Sequence, residues 1–175
     1  MENQERKGVV TFKGNPLTLV GPALKAGDKA PDFKLLGGDL SVASLDTFKG
    51  KTLLISVVPS LDTPVCSDQS KRFNEEAAKL PASVVVLTVS ADLPFAQGRW
   101  CGAAGAKNLK TLSDHREVAF GKSYGVLIKE LRLLSRSIFI VSPDRKIQYL
   151  EIVKEVTQHP DYDKALDALK AGVKG

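Results

Sequence analysis

Three apolar runs along the chain alternate with amphipathic segments. The runs at residues 52–58, 83–90 and 137–141 consist mostly of Val, Leu and Ile, which is typical of strands buried on both faces of a sheet. Helices are expected after the first two, at 66–80 from its apolar spacing and at 94–101 from its leading Pro and following Gly. This order predicts a βαβα unit with parallel strands.

Short elements complete the predicted sheet at both ends of the chain. A turn sequence of Lys, Gly, Asn and Pro predicts a hairpin at about 9–20, and the turn Ser-Pro-Asp-Arg predicts another between strands 137–141 and 146–153. A terminal amphipathic helix is expected at about 160–171. The order is that of an α/β, thioredoxin-like fold. It has a central mixed β-sheet flanked by helices, in one domain over 1–175 with an N-terminal β-hairpin extension.

A further helix is predicted between the βαβα unit and the second hairpin, at residues 115–122. Asp114 and Glu117 have the three-residue spacing of a capping box, in which two side chains bind backbone N–H groups at the helix start. Residues 126–134, which follow this helix, contain no glycine and are expected to form a loop.

The composition fits a globular cytoplasmic protein and excludes several function classes. The 175 residues are 43% hydrophobic and 26% charged, enough for one ordinary core. The net charge of +5 is spread along the chain and aromatic residues make up only 6%, so a nucleic-acid-binding surface is not expected. No apolar stretch has the length of a signal peptide core or a membrane span, so no membrane partner is expected.

The chain has two cysteines, Cys66 and Cys101, whose chemistry the composition leaves open. In a reducing cytoplasm they are redox-active, inert and buried, or half of a metal site. A metal site is the weakest choice, because the chain has no C-x-x-C motif and neither His115 nor His159 has ligand-like spacing. We therefore expect no metal or other cofactor.

Cys66 follows a predicted strand and lies three residues after Thr63, in the sequence Thr-Pro-Val-Cys that is typical of a helix start. Lowering the pKa of a free thiol from its usual value of about 8.5 to about 6 requires roughly 3.4 kcal/mol of extra stabilisation of the thiolate. A helix end supplies typically 0.3–1 kcal/mol and about 2 at best, so a cation is expected near the sulfur. The candidates are Arg72, Arg99, Arg132 and Arg136. Arg136 is favoured because it directly precedes a strand and so lies at a sheet end.

Two motifs resemble one enzyme family. The pattern Pro59-x3-Thr63-x2-Cys66 resembles the peroxiredoxin active-site motif, and the wider run PSLDTPVC resembles the bacterial thiol peroxidases, an atypical two-cysteine subfamily. The sequence SADLPFAQ, followed by RWCG around Cys101, is similar to that subfamily's second signature. The hairpin turn Gly-Asn-Pro and the segment Leu-Ser-Arg that ends at Arg136 are similar as well.

The resemblance implies a role for each residue of the motif. Cys66 is the peroxidatic cysteine, Thr63 orients thiolate and peroxide, Arg136 completes the pocket, Pro59 shields it from water, and Cys101 is the resolving cysteine. The implied enzyme reduces hydrogen peroxide and organic hydroperoxides through a sulfenic acid and an intramolecular disulfide, as an antioxidant defence. It is recycled by thioredoxin, and its usual assembly is a homodimer. The glycine-free segment 126–134 before Arg136 departs from the family's pattern, so this loop is expected to differ in shape from that of the family.

Two other classes stay open. The first is an interaction or chaperone module of the same fold whose cysteines are incidental. The second is a thioredoxin-type disulfide oxidoreductase, although Cys66 lacks the C-x-x-C partner of that chemistry.

The two thiols are expected to lie apart in the predicted fold, because Cys101 lies about seven residues, or roughly 10 Å, along its helix. Since a disulfide needs Cα atoms within about 7 Å, we expect the reduced thiols to be too far apart to bond.

Overall fold

The computed structural model describes residues 3–173, in which four α-helices and eleven strands are assigned. The strands are Glu5–Phe12 (β1), Asn15–Val20 (β2), Leu35–Leu36 (β3), Val42–Ala43 (β4), Thr52–Val57 (β5), Val84–Ser90 (β6), Lys110–Ser113 (β7), Leu127–Ile128 (β8), Leu133–Leu134 (β9), Ser137–Val141 (β10) and Ile147–Ile152 (β11). The helices are Pro64–Ala77 (α1), Pro94–Ala104 (α2), Ala119–Ser123 (α3) and Tyr162–Gly172 (α4), with a short 3₁₀ helix at Leu45–Phe48.

A seven-stranded mixed sheet forms the centre, in the order β11-β10-β5-β6-β7-β3-β4. The pairs β5-β6 and β6-β7 are parallel, whereas β10 and β11 pair antiparallel at one side of them. The predicted mixed sheet flanked by helices is therefore confirmed. Because β5, β6 and β7 are parallel, the segments that follow them all emerge at the same edge of the sheet.

Side chains of the central strands alternate between two apolar cores, one on each face of the large sheet. On one face, residues of α1, α2 and α4 pack against the sheet around Leu54 and Ile138. On the other face, Ile55 and Phe139 pack with Phe120 of α3. Every residue of β5 is buried, as its continuous apolar sequence predicts for a strand covered on both sides.

The N-terminal hairpin is built into the body of the protein. β2 pairs with β8, which pairs with β9, so that β1-β2-β8-β9 form a small antiparallel sheet. The predicted loop at 126–134 is therefore wrong in part, since it contributes two short strands to this sheet. β9 ends two residues before Arg136, and the Ser135 N–H donates to the Val126 carbonyl at 2.7 Å. The hairpin thus supports the segment that leads to Arg136.

Asp114 caps α3 in a way that the capping-box spacing does not predict. Its two carboxylate oxygens accept hydrogen bonds from the Phe120 N–H at 3.1 Å and the Gly121 N–H at 2.9 Å. Glu117 takes no part, and the helix begins only at Ala119, after Val118 in a left-handed conformation. Burial raises the pKa of Asp114 to about 6, against the effect of the two backbone hydrogen bonds.

Between residues 3 and 173, no helix combines the length and the apolar character that crossing a bilayer requires.

Candidate active site

Cys66 lies in the first turn of α1, directly beyond the carboxyl end of β5. The helix begins at Pro64, with Thr63 in the extended backbone conformation of an N-cap residue. The Cys66 side chain is 0% exposed and packs with Val58 and Leu61, with Trp100 at the edge of the cluster. The thiol is therefore at the positive end of a 14-residue helix and shielded from water.

The Thr63 hydroxyl does not cap the helix. It donates to the carbonyl of Ser60 at 2.8 Å, and the structure assigns it no bond to a backbone N–H of α1. The Thr63 carbonyl instead closes the first turn by accepting from the Ser67 N–H at 3.0 Å. The hydroxyl is exposed, and because its hydrogen is engaged by Ser60, its oxygen is left to accept a hydrogen bond from a bound molecule. Pro59 is buried at the end of the same loop.

The sheet register brings Arg136 to Cys66. Ser137, the first residue of β10, pairs with Val57, the last residue of β5. An antiparallel neighbour begins where its partner ends, so Arg136 stands at the point where the chain leaves β5 toward Cys66. Its Nη2 donates to the Cys66 Sγ at 3.3 Å.

Arg136 is held by three acceptors at once. Its Nε donates to the Val156 carbonyl at 2.9 Å and its Nη1 to the Gln69 Oε1 at 3.0 Å, while Nη2 faces the sulfur. The side chain is 2% exposed, and none of these three acceptors in the described part of the chain is a carboxylate. A buried cation is costly without a negative partner, so this arrangement stabilises negative charge on the Cys66 sulfur.

The other three candidate arginines lie elsewhere. Arg72 is engaged by Glu76 and lies over the ring of Tyr162. Arg99 pairs with Asp62 at 3.8 Å on the surface, and Arg132 is exposed. Of the four arginines that the sequence suggests, only Arg136 contacts the thiol in the described structure.

Gln69 is a site residue that the sequence interpretation missed. It is fully buried one turn after Cys66, and its Nε2 donates to the Ser56 hydroxyl at 2.8 Å while its Oε1 accepts from Arg136. The amide therefore fixes the guanidinium plane relative to the sulfur. A signal was available, because residues three apart in a helix share a face, and a buried polar amide on the face of Cys66 needs a partner.

Cys101 lies in α2, in a different apolar cluster from Cys66. Both cysteines are free and outside bonding distance, which confirms the expectation that the thiols lie too far apart to bond in this fold. Cys101 is half-buried and its thiol donates to the Thr111 hydroxyl at 3.7 Å. Burial raises the pKa of Cys101, and the bond to Thr111 opposes this in part. Burial of Cys101 in α2 therefore favours its protonated thiol over its thiolate.

Comparison with known proteins gives one consistent result. The Redoxin family matches residues 25–166. Thiol peroxidases of Halalkalibacterium halodurans and Bacillus subtilis are 58% and 57% identical, each over 94% of this chain and 98% of its own length. Among solved structures, a peroxiredoxin-like protein from Aquifex aeolicus has a TM-score of 0.89 at 40% identity, covering 97% of this chain and 99% of its own.

A more distant structure agrees in fold. The thiol peroxidase from Chromobacterium violaceum has a TM-score of 0.81 over 93% of this chain, at 24% identity. The shared architecture is the thioredoxin-like sheet and helices predicted from the sequence, and the relatives match this chain over almost its whole length. The chain belongs to the thiol peroxidase family and is a peroxidase of the peroxiredoxin type.

Proposed function

We propose that Cys66 is the peroxidatic cysteine, and the contact that supports this most directly is the 3.3 Å approach of Arg136 Nη2 to its sulfur. The substrates are hydrogen peroxide and organic hydroperoxides. The Cys66 thiolate attacks the nearer oxygen of ROOH, the S–O bond forms as the O–O bond breaks, and the leaving alkoxide takes a proton to become ROH. Sulfur is oxidised to a sulfenic acid, and the peroxide is reduced to water or an alcohol.

Three groups assist this step. Arg136 and the free backbone N–H groups at the start of α1 stabilise the negative charge as it moves from sulfur to the leaving oxygen. The Thr63 oxygen accepts a hydrogen bond from the hydroperoxide O–H, which orients the O–O bond. Pro59 closes the loop side of the pocket against water.

We assign the resolving role to Cys101. Its thiolate attacks the sulfenic sulfur of Cys66, an S–S bond forms, and the sulfenic oxygen leaves as water after protonation. Since Cys66 is fully buried and the thiols occupy separate clusters, the first turn of α1, the helix α2, or both must unwind before this bond can form. Unwinding also relieves the burial that raises the pKa of Cys101, so a larger fraction of this thiol is ionised once it is released.

Thioredoxin is the reductant that we propose for the disulfide, since a small dithiol protein exchanges with a disulfide exposed by unwinding. The two remaining alternatives lack support from the site. The binding activity of a chaperone or interaction module does not require a buried guanidinium in contact with a thiol. A dithiol oxidoreductase requires a C-x-x-C motif, which the chain does not have.

Cys101→Ser is expected to separate the two half-reactions. Without reductant, the reduced variant should consume about one equivalent of hydrogen peroxide at the wild-type rate, because the Cys66 pocket is unchanged. With thioredoxin, thioredoxin reductase and NADPH, its turnover should fall at least about tenfold, because no intramolecular disulfide forms. NADPH oxidation measures turnover and a peroxide dye measures the first step. Wild-type turnover by this variant would contradict the assignment of Cys101.

We also propose that the protein is a homodimer that pairs near this site. Leu93, directly before α2, and Phe95, in its first turn, are 53% and 66% exposed, and neighbouring exposed apolar side chains are typical of interfaces. Light scattering after size exclusion should give twice the monomer mass for the wild type and the monomer mass for Phe95→Ser. A monomeric wild type would contradict the proposal.

A further inference from the structure

The carboxylate of Asp92 joins the two segments that carry the cysteines. Asp92 lies between β6 and α2, and it accepts two hydrogen bonds from the loop that precedes Cys66. The Ser60 hydroxyl donates to its Oδ1 at 2.7 Å, and the Leu61 N–H donates to its Oδ2 at 2.8 Å. Ser60 in turn accepts from the Thr63 hydroxyl through its carbonyl, so Asp92 fixes the loop that holds the catalytic threonine.

On its other side, Asp92 is connected to α2. The Ser90 hydroxyl donates to Oδ2 at 2.7 Å, and the Gln97 Nε2 donates to the same hydroxyl at 3.0 Å. Gln97 is in the first turns of α2 and is 1% exposed, and its amide also donates to the Leu112 carbonyl at 2.9 Å. A continuous line of hydrogen bonds therefore runs from the helix of Cys101 to the loop of Cys66.

We call this line, made of Ser60, Leu61, Ser90, Asp92 and Gln97, the Asp92 bridge. None of its hydrogen bonds involves the Cys66 sulfur or Arg136, so it acts on the peroxide step only through the position of the loop that carries Thr63. Charge-assisted hydrogen bonds such as those to Asp92 are about twice as strong as neutral ones. The Asp92 bridge therefore stabilises the arrangement in which both segments are folded, and it must break when either of them unwinds.

We propose that Asp92 is a positioning residue that sets how readily the Cys66 loop and α2 open after Cys66 is oxidised. This rests on the proposed function, because it takes Cys101 as the resolving thiol. Opening controls a competition. In the folded arrangement, a second peroxide molecule oxidises the sulfenic acid to sulfinic acid, with loss of ROH, whereas opening allows Cys101 to form the disulfide. A weaker bridge shifts this competition toward the disulfide.

Asp92→Ala tests the proposal, because it removes the acceptor of three hydrogen bonds and leaves Cys66 and Arg136 in place. If the open arrangement is rare, loss of charge-assisted bonds should raise its population, and so the rate of disulfide formation, about tenfold. The same change should alter the peroxide step by less than about twofold, because most molecules remain folded. The peroxide concentration that gives half sulfinic acid at Cys66 should rise about tenfold as well. General structural damage would slow both steps instead.

The single tryptophan provides the signal. Trp100 packs against the Cys66 cluster and its Nε1 donates to the Ser67 hydroxyl at 3.0 Å, so its fluorescence responds to opening of either segment. Stopped-flow mixing of reduced protein with peroxide gives a first phase that depends on peroxide concentration and a second that does not. Mass spectrometry of the quenched protein counts disulfide and sulfinic acid at Cys66.

Two variants serve as controls. Asp92→Asn keeps one oxygen for the Leu61 N–H and the Ser90 hydroxyl and can donate to Ser60, so its second phase should lie between wild type and Asp92→Ala. Asp62→Asn removes the exposed ion pair with Arg99, which lies at the same junction outside the bridge. Its two phases should equal those of the wild type, because exposed ion pairs contribute little.

A second phase that is unchanged or slower in folded Asp92→Ala overturns the proposal. If that variant does not fold, Ser60→Ala takes its place, because of the three bonds to Asp92 it removes only the one to Oδ1, together with the bond that the Ser60 hydroxyl accepts from the Asp62 N–H. An unaccelerated second phase there overturns the proposal equally. The Cys101→Ser variant separates this failure from that of the proposed function. A second phase that persists without Cys101 contradicts the resolving role, whereas one that needs Cys101 but ignores Asp92 contradicts the bridge alone.

Discussion

Cys66→Ser is expected to reduce peroxide consumption to the background rate of the buffer, a loss of at least about 10³-fold. A serine hydroxyl is not ionised at neutral pH, and its oxygen does not act as a nucleophile toward the peroxide oxygen in the way that a thiolate sulfur does. Cys101 cannot replace it, because burial raises the pKa of Cys101 and its side chain contacts Thr111 rather than a cation. The NADPH-coupled assay with thioredoxin measures the loss.

The matched control for this variant is Cys101→Ser, which removes the other thiol and should keep the first turnover. Both substitutions exchange sulfur for oxygen in a packed site, so both should leave the fold and the thermal transition close to wild type. The assignment of Cys66 is contradicted if Cys66→Ser, checked as folded, still consumes peroxide at the rate of the Cys101 variant.

Arg136→Met is expected to lower the second-order rate constant with hydrogen peroxide by about 10²–10³-fold, the usual effect of removing a buried group that stabilises transition-state charge. The guanidinium is 3.3 Å from the sulfur, and methionine fills its volume without charge or donors. The substitution also leaves the Gln69 and Val156 acceptors without a partner, so some loss of stability is expected. Stopped-flow fluorescence measures the rate constant, and circular dichroism measures the fold.

Two further substitutions identify the cause of that loss. Arg136→Lys keeps the charge but cannot reach three acceptors in one plane, so it should retain more activity than Arg136→Met and less than wild type. Arg132→Met removes an exposed arginine from the same segment and should react at the wild-type rate. A wild-type rate for a folded Arg136→Met would show that the helix end alone activates Cys66.

The elements predicted well from sequence are those whose cause is local. The Thr-Pro pair at 63–64 is enough to start α1, and the uninterrupted apolar sequence of Thr52–Val57 is enough to predict a buried strand. The strands β8 and β9 have two residues each, too few for any periodicity to be visible, and they are strands through long-range pairing, β8 with β2 of the N-terminal hairpin and β9 with β8. Spacing alone links Asp114 to Glu117, whereas in the fold the carboxylate of Asp114 accepts from the backbone N–H groups of Phe120 and Gly121.

The candidate site divides in the same way. Cys66 and Thr63 are adjacent in sequence and could be identified from their motif. The partners of Arg136 are distant in sequence, since Gln69 lies 67 positions away and Val156 lies 20 away, and only the folded arrangement of α1 and the strands around β10 brings them together. The need for a cation could be argued from the energy of a thiolate, and Arg136 could be favoured because it precedes a strand, but the acceptors that hold it depend on long-range contacts. The Asp92 bridge is equally non-local, because it joins residues 31 and 32 positions apart.

The most direct test of the account is to locate the first oxidised sulfur. Reduced Cys101→Ser protein is mixed with one equivalent of hydrogen peroxide in the presence of dimedone, which forms a stable thioether with sulfenic acids, and the adduct is mapped by peptide mass spectrometry. We predict a near-stoichiometric adduct on Cys66. In the double variant that carries both Cys101→Ser and Arg136→Met, most of this adduct should be missing at the same early time point. A protein that consumes the peroxide without forming an adduct on Cys66 would contradict the account.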